Sequence, residues 1–177
     1  MKTRQRVFIL LLLLIGAGVL LYQFSFSDGL INAQSRLPLE GHLAPGFKLV
    51  STEGKTVTLK QLQGKPLLLN FWASWCGPCQ IEMPDLVEAE KRFGNQVQFV
   101  GINLTKQDSR EDAERFIQQY RVTYLNLFDD KGKAAKDYQI TGIPTSFVLD
   151  ETGQITYRKQ GPMSLKEIEQ VLSEVIK

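Results

Sequence analysis

The chain is poor in residues that bind metals. Its 177 residues include two cysteines and one histidine. A structural zinc site needs four ligands, so the chain cannot supply one from these residues alone. Covalent haem attachment requires a histidine directly after the second cysteine of a Cys-x-x-Cys pair, and Gln80 follows Cys79 instead. These absences exclude zinc-finger and c-type haem proteins, and we expect neither a metal nor another cofactor.

A large excess of charge is also missing. The formal net charge is +2, and Lys2, Arg4 and Arg6 supply three positive charges, so the remainder of the chain sums to −1. Proteins that bind nucleic acid through its phosphates usually carry a basic patch. We therefore expect no nucleic-acid partner. The length and the apolar and charged fractions fit one globular domain with an appendage.

One long apolar run lies near the N-terminus. Residues 7–22 carry no charged or strongly polar side chain, and the run through residue 26 would form a helix of about 30 Å, which matches a membrane core. A cleaved signal peptide is the alternative, but no pattern of small residues for cleavage follows directly. The basic N-terminal flank predicts a cytoplasmic N-terminus and an exported remainder. We expect a single-pass protein of the cell membrane.

Composition then divides the chain into four parts. Residues 1–6 are the predicted cytoplasmic N-terminus, 7–26 the transmembrane signal-anchor, 27–43 a tether and 44–177 the folded domain. The tether is predicted because Ser, Asp, Gly, Asn, Gln and Pro are mixed there with scattered leucines and no sustained period.

Hydrophobic periodicity predicts an α/β domain. Runs of strand length lie at residues 47–50, 55–59, 67–72, 97–104, 145–149 and 154–157. Helical spacing follows the run at 67–72, and helix-capping pairs at Ser109/Asp112 and Ser164/Glu167 predict two further helices. Strands that alternate with helices and end in a hairpin indicate a mixed sheet with helices on its faces.

The two cysteines, Cys76 and Cys79, stand three residues apart where a predicted strand passes into a helix. A disulfide here could be a structural staple, but a loop this short would contribute only roughly 2 kcal/mol before strain is subtracted. A helix start favours a thiolate through its N–H groups and its dipole. We interpret the pair as a redox-active disulfide in which Cys76 attacks and Cys79 resolves the mixed disulfide.

Two segments resemble the thioredoxin superfamily. Residues 71–79, Phe-Trp-Ala-Ser-Trp-Cys-Gly-Pro-Cys, are similar to its active-site segment, and residues 142–145, Gly-Ile-Pro-Thr, to its cis-proline loop. The start of the domain and the apolar run are similar to those of membrane-tethered reductases of the TlpA and ResA type. Peroxiredoxins need Pro and Thr or Ser where this chain has Leu69 and Ala73. The resemblance implies a thioredoxin fold, with a mixed central sheet, flanking helices, an N-terminal β-hairpin and a central βα insertion, preceded by one transmembrane helix.

The resemblance also implies further site residues. Pro144 would be a cis-proline beside the disulfide, and Ile143 would bind an extended substrate strand through its backbone; an ordinary turn is the alternative. Trp75 would flank the docking surface. Glu82 would accept the proton of Cys79, unless it only complements the helix dipole. Cytoplasmic thioredoxins carry a buried Asp where this chain has Asn70.

By the same resemblance, the protein reduces disulfides in exported proteins, of the kind handled in cytochrome c maturation, and a membrane thiol carrier re-reduces it. The direction of electron flow depends on the relative stability of the two redox forms, which the sequence does not contain. An oxidant or isomerase of exported proteins is therefore one alternative. A thioredoxin-fold binding module with a non-catalytic disulfide is the other.

Overall fold

The computed structural model of the protein describes residues 37–176 and, before them, Gly16. The predicted cytoplasmic N-terminus, the remainder of the predicted anchor at 7–26 and the first part of the predicted tether lie outside the described residues. In the part of the chain that the structure describes, no helix combines the length and the apolar character needed to cross a membrane. The compact unit that follows begins at Leu37.

Strands and helices alternate along the described residues. The strands are β1 (Lys48–Ser51), β2 (Thr56–Thr58), β3 (Leu67–Trp72), β4 (Gln98–Asn103), β5 (Leu125–Phe128), β6 (Thr145–Leu149) and β7 (Ile155–Gln160). The helices are α1 (Gly77–Phe93), α2 (Arg110–Gln119), α3 (Lys133–Asp137) and α4 (Leu165–Ser173), with short 3-10 helices at Leu59–Leu62 and Thr105–Gln107.

The seven strands form one mixed sheet in the order β2-β1-β5-β4-β3-β6-β7. Strands β3, β4 and β5 run parallel to one another, whereas β6 is antiparallel to β3, and β1 is antiparallel to β5. The hairpins β1–β2 and β6–β7 complete the two sides. A mixed sheet with helices in this order is a thioredoxin fold, as the resemblance to the thioredoxin superfamily implies.

Strand β3 occupies the middle of the core, and all six of its side chains are buried. Because side chains alternate along a strand, they divide between the two faces of the sheet. Leu68 and Trp72 belong to the cluster that also contains residues of α1, α2 and α4. Leu69 and Phe71 pack on the other side with Tyr138, which caps the C-terminus of α3. The strand that precedes the cysteines is therefore held from both sides.

Most predicted elements are confirmed. Both hairpins form, and the runs at 67–72 and 97–104 become β3 and β4. The Ser109 and Ser164 side chains accept hydrogen bonds from the backbone N–H groups of Asp112 and Glu167 and so cap α2 and α4. Strand β5 and helix α3 were not predicted, since four and five residues are too few to show a period.

The segment 37–43, which composition assigns to the tether, lies along the outer edge of the sheet. The Gly41 N–H donates to the Ile155 carbonyl at 2.8 Å, and the Ile155 N–H donates to the His42 carbonyl at 2.9 Å. Leu43 forms a bridge with Gln154. Strand β7 is the last in the sheet and needs partners for its backbone groups. The folded unit consequently extends to Leu37.

Candidate active site

The two cysteines form a disulfide at the start of α1. The Cα atoms of Cys76 and Cys79 are 5.2 Å apart, and their sulfurs are bonded at 2.06 Å. Cys76 is the N-cap, and its Sγ accepts the backbone N–H of Cys79 at 3.1 Å. Pro78 in the first turn costs no hydrogen bond, because N–H groups there have no partner inside the helix. The local sequence thus places the first sulfur at the positive end of the helix dipole.

The loop that leads into Cys76 is fastened by one carboxylate. Asp108 Oδ2 accepts the Ser74 N–H at 2.7 Å, and Asp108 Oδ1 accepts the Ser74 hydroxyl at 2.6 Å. The same carboxylate accepts bonds from Asn103 Nδ2 and from the Ser109 N–H. Asp108 therefore joins the end of β4 and the start of α2 to the residue two before the nucleophile.

Asp108 was not predicted as a site residue from the sequence. A signal was present, because polar residues that follow parallel neighbouring strands meet at one edge of a sheet. Ser74 follows β3 and Asp108 follows β4, and these two strands are parallel neighbours. That rule would have brought the two loops together.

Trp75 and the loop before β6 form the two walls of a shallow cleft beside the disulfide. Trp75 is 57% exposed, and its Nε1 donates to the Gln107 carbonyl at 2.9 Å. The Ile143–Pro144 peptide bond is cis, and the Ile143 carbonyl oxygen lies 3.7 Å from Cys76 Sγ. The cleft has a volume of about 190 Å³. Its lining residues are Trp75, Leu104, Gln107, Ile140, Thr141, Gly142 and Ile143.

Glu82 lies on α1, three residues after Cys79, and is 1% exposed. Its Oε2 accepts from Asn70 Nδ2 and its Oε1 accepts from the Met163 N–H, both at 2.9 Å. Burial raises the pKa of the Glu82 carboxyl to about 7, although these two hydrogen bonds favour the charged form. Glu82 is thus a buried carboxyl that gains and loses a proton near neutral pH.

The structure brings Cys76, Cys79, Trp75 and Ile143 together at the end of the sheet where β3 passes into α1, and Pro144 follows Ile143 in the same loop. Glu82 lies about one helical turn further along α1 and accepts a hydrogen bond from Asn70 of β3. Met163 contributes its backbone N–H to this site. No sequence pattern could have indicated that donor, because any residue at position 163 except proline carries it.

A thioredoxin fold with a disulfide at a helix start and a cis-proline beside it defines a class of redox protein. The chain belongs to the Redoxin family, whose sequence model matches residues 39–172. It is similar to the thioredoxin-like protein YneN of Bacillus subtilis, with 39% identity over 166 residues that cover 93% of this chain and 94% of that protein. It is also similar to the thiol-disulfide oxidoreductase ResA of Bacillus thuringiensis, with 30% identity over 171 residues that cover 96% and 94%.

Two solved structures carry the same fold. StoA from Bacillus subtilis matches with a TM-score of 0.63 and 32% identity, and the match covers 71% of this chain and 95% of that one. A thiol:disulfide interchange protein of the thioredoxin family from Chlorobium tepidum matches with a TM-score of 0.67 and 30% identity, covering 76% and 96%. Together with the Cys76–Cys79 disulfide, these relatives make the chain an enzyme, a thiol-disulfide oxidoreductase of the ResA type.

Proposed function

We propose that the protein reduces disulfides in other exported proteins, with Cys76 as the attacking and Cys79 as the resolving thiol. The observation that carries this proposal is the position of Cys76 Sγ, which accepts a helix N–H from Cys79. A thiolate at that atom gains both the hydrogen bond and the helix dipole. Cys79 lies inside the first turn, where it is placed to attack Cys76.

The reaction balances in two exchanges. The Cys76 thiolate attacks one sulfur of a substrate disulfide, so that a mixed disulfide forms and the other substrate sulfur leaves as a thiolate. Cys79 then gives its proton to Glu82, and its thiolate attacks Cys76 and displaces the second substrate sulfur. The substrate leaves reduced and the protein leaves oxidised. A membrane thiol carrier then supplies the two electrons that restore both thiols.

The cleft beside Cys76 supports a role in holding the substrate. Ile143 is the last residue before the cis-proline, and its carbonyl faces the attacking sulfur. An extended substrate segment pairs with the Ile143 backbone as an added strand, while Pro144 shapes the loop and Trp75 covers one flank. Backbone pairing does not depend on the substrate's side chains, which suits an enzyme that acts on several proteins.

Trapping tests the order of the two cysteines. A Cys79→Ser variant of the full chain should accumulate mixed disulfides with its substrates, because no thiol remains to resolve them. The matched control is Cys76→Ser, which should trap nothing, and the wild type should reduce insulin in the presence of a dithiol reductant. Adducts on the Cys76→Ser variant but not on Cys79→Ser would contradict the assigned roles.

The pH dependence of resolution tests Glu82. In the wild type, the resolution rate should rise as pH increases through about 7, where Glu82 loses its proton and becomes able to accept another. Glu82→Gln should lose that titration and slow resolution by roughly tenfold to a hundredfold. An unchanged pH–rate profile in the variant would remove Glu82 from the proposed chemistry.

We further propose that residues 7–26 anchor the protein in the cell membrane, with the cytoplasm on the side of the basic N-terminus and the disulfide outside. The apolar run and its basic flank support this orientation. Disulfides form readily in the oxidising exterior, so a reductant is needed there, and the anchor raises its concentration near membrane partners. The proposed substrates are envelope proteins of the cytochrome c maturation type. Mass mapping of membrane-extracted protein should recover the native N-terminal region. A mature start after residue 17 or 33 would identify a cleaved signal instead.

Electron flow is tested by equilibration with glutathione. A reductant should hold its disulfide at a more negative potential than the glutathione pair, whereas an oxidant or isomerase should lie at or above it. Equilibrium mixtures quenched with acid and alkylated give the fraction of the Cys76–Cys79 pair that is oxidised. That fraction gives the reduction potential of the pair, and a potential above that of glutathione would reverse the proposed direction.

A further inference from the structure

The buried side-chain amide of Asn70 donates two hydrogen bonds and accepts none within the described residues. Asn70 Nδ2 donates to Glu82 Oε2 and to Ser146 Oγ, both at 2.9 Å. All three side chains are buried. Among the described residues, Asn70 Oδ1 has no hydrogen-bond partner. The amide is therefore oriented for a neighbour that can only accept, which is the ionised form of Glu82.

The two oxygens of Glu82 both face donors. Met163 N–H points at Oε1 and Asn70 Nδ2 at Oε2. A protonated carboxyl must donate from one of its oxygens. With both neighbours as they stand, that hydrogen finds no acceptor among the groups that bind Glu82 and would remain a buried donor without a partner. A change in one of the two contacts would give that hydrogen an acceptor.

Asn70 is the partner that can change without movement of the backbone. The Met163 N–H is a backbone group and can only donate. The two ends of a side-chain amide have nearly the same shape, so a half turn about the last bond exchanges an acceptor for a donor. After such a turn Oδ1 occupies the position of Nδ2, within bonding distance of Glu82 and of Ser146, whose hydroxyl can donate as well as accept.

We infer that Asn70 turns its amide when Glu82 takes up a proton, so that Asn70 Oδ1 accepts the Glu82 carboxyl hydrogen and the Ser146 hydroxyl. This inference rests on the proposed function, in which Glu82 receives the proton of Cys79. Asn70 is then a positioning residue that accommodates both protonation states of Glu82. An ionised Asp at this position offers only acceptors and would repel the Glu82 carboxylate.

The charged and titratable groups that the structure describes around Glu82 do not provide an acceptor for its proton, and the Asn70 amide can. After burial, the charges of Asp85 on α1 and Glu167 on α4 also raise its pKa. Burial raises the pKa of Tyr124, just before β5, and the charge of Glu82 adds to that effect. Lys159 on β7 pairs with Glu167 at 2.8 Å. In the part of the chain that the structure describes, Glu82 forms no ion pair of its own. Its side-chain hydrogen-bond partner in these residues is Asn70.

Nuclear magnetic resonance of the oxidised full-length chain tests the turn directly. Asparagine labelled with nitrogen-15 and glutamate labelled with carbon-13 report the Asn70 amide and the Glu82 carboxyl between pH 5 and 9. The Glu82 carboxyl should titrate near pH 7. The Overhauser contact from the Asn70 Nδ2 protons to the Ser146 β protons should be present above that midpoint and be lost below it. Asn126 is an internal control. It is also buried, and its Oδ1 has no hydrogen-bond partner among residues 37–176, but its Nδ2 donates to the Tyr124 carbonyl, so its contacts should persist.

Two variants complete the test. Glu82→Gln should abolish the pH dependence of the Asn70 amide. Asn70→Leu should raise the Glu82 midpoint by about one pH unit, because the ionised carboxyl loses a stronger bond than the protonated one. An Asn70–Ser146 contact that persists while Glu82 titrates would overturn the inference, as would a Glu82 carboxyl that does not titrate in this range. Both outcomes are read without activity, so they are distinct from a failure of Glu82→Gln to slow resolution, which would contradict the proposed function.

Discussion

At the scale of single residues, burial of the Glu82 carboxyl lowers the stability of the folded protein when that carboxyl is ionised. The Glu82 carboxyl is buried three residues after Cys79, has no ion-pair partner in the described residues, and is compensated there by two hydrogen-bond donors. Because burial raises its pKa from 4.5 to about 7, the folded protein holds a proton over a pH interval in which the unfolded chain has already lost it. The free energy of unfolding therefore falls as pH rises from 4.5 to about 7, and the loss is complete above that value.

Replacement of this residue should remove that slope. The wild type should lose about 3 kcal/mol of unfolding free energy relative to Glu82→Gln between pH 4.5 and 8, since the amide does not titrate. Urea denaturation of the oxidised proteins at several pH values measures the difference, with equal m-values as the control for an unchanged unfolded state. A difference that stays constant with pH would contradict a raised pKa at Glu82.

Residues whose role depends on local spacing were readable from the sequence, whereas residues defined by tertiary contacts were not. Cys76, Cys79 and Pro144 stand in short motifs whose chemistry needs that spacing. The burial of Glu82 depends on Asn70 from β3 and on the Met163 N–H, which lies 81 positions away in the chain. The residues next to position 82 in the sequence indicate neither contact.

At the scale of elements, the loop between β4 and α2 supports the active-site loop. Asp108 makes four hydrogen bonds there, two of them to Ser74. Asp108→Asn should place an amide donor against donors, so we expect a loss of about 1–3 kcal/mol of unfolding free energy and a higher KM for insulin, because Trp75 is held by the same loop. Thermal denaturation and the insulin assay measure the two effects.

The matched control for this variant is Asp130→Asn. Asp130 pairs with Arg110 of α2 at the surface, where an exposed ion pair is worth under about 1 kcal/mol. The Asp130→Asn variant should therefore keep the wild-type KM for insulin. If both variants behaved alike, Asp108 would have no special part in supporting the active-site loop.

Elements were predicted where they are long or capped and were missed where the sheet itself stabilises them. Strand β5 has four residues, and it forms because β1 and β4 pair with it on both sides. Helix α3 has five residues and begins after Gly132, whose φ of 65° suits glycine. Contacts with neighbouring elements stabilise these short segments, and a local sequence pattern does not indicate such contacts.

At the scale of the whole molecule, one edge of the sheet is covered by the residues that lead toward the predicted anchor. The Arg158 guanidinium donates to the Pro38 carbonyl at 2.9 Å and to the Gln139 carbonyl at 3.1 Å. It also lies over the Phe147 ring, 5.3 Å from its centroid. Arg158 therefore joins the segment 37–43 to the loop that precedes the cis-proline.

Loss of this guanidinium should loosen the edge while the core stays intact. In Arg158→Met, the Gly41 and Ile155 amides should exchange with solvent roughly fivefold faster, which corresponds to about 1 kcal/mol of local stability. Hydrogen exchange with mass spectrometry measures this change. Lys159→Met is the control, since Lys159 pairs with Glu167 on α4 and should leave those two amides unaffected. Equal exchange in both variants would show that Arg158 does not hold the segment.

The burial of the disulfide determines which partners can exchange with it. Cys76 is 3% exposed and Cys79 1%, and an incoming thiolate must approach the Cys76 sulfur along the line of the bond that it breaks. A small thiol in solution should therefore react with this disulfide more slowly than a thiol of a docked protein. A protein docked on the neighbouring cleft holds its own sulfur there for the lifetime of the complex. Exchange with small thiols should then be slower than exchange with docked proteins, so over short times the redox state of the enzyme reflects its protein partners more than the small thiols around it.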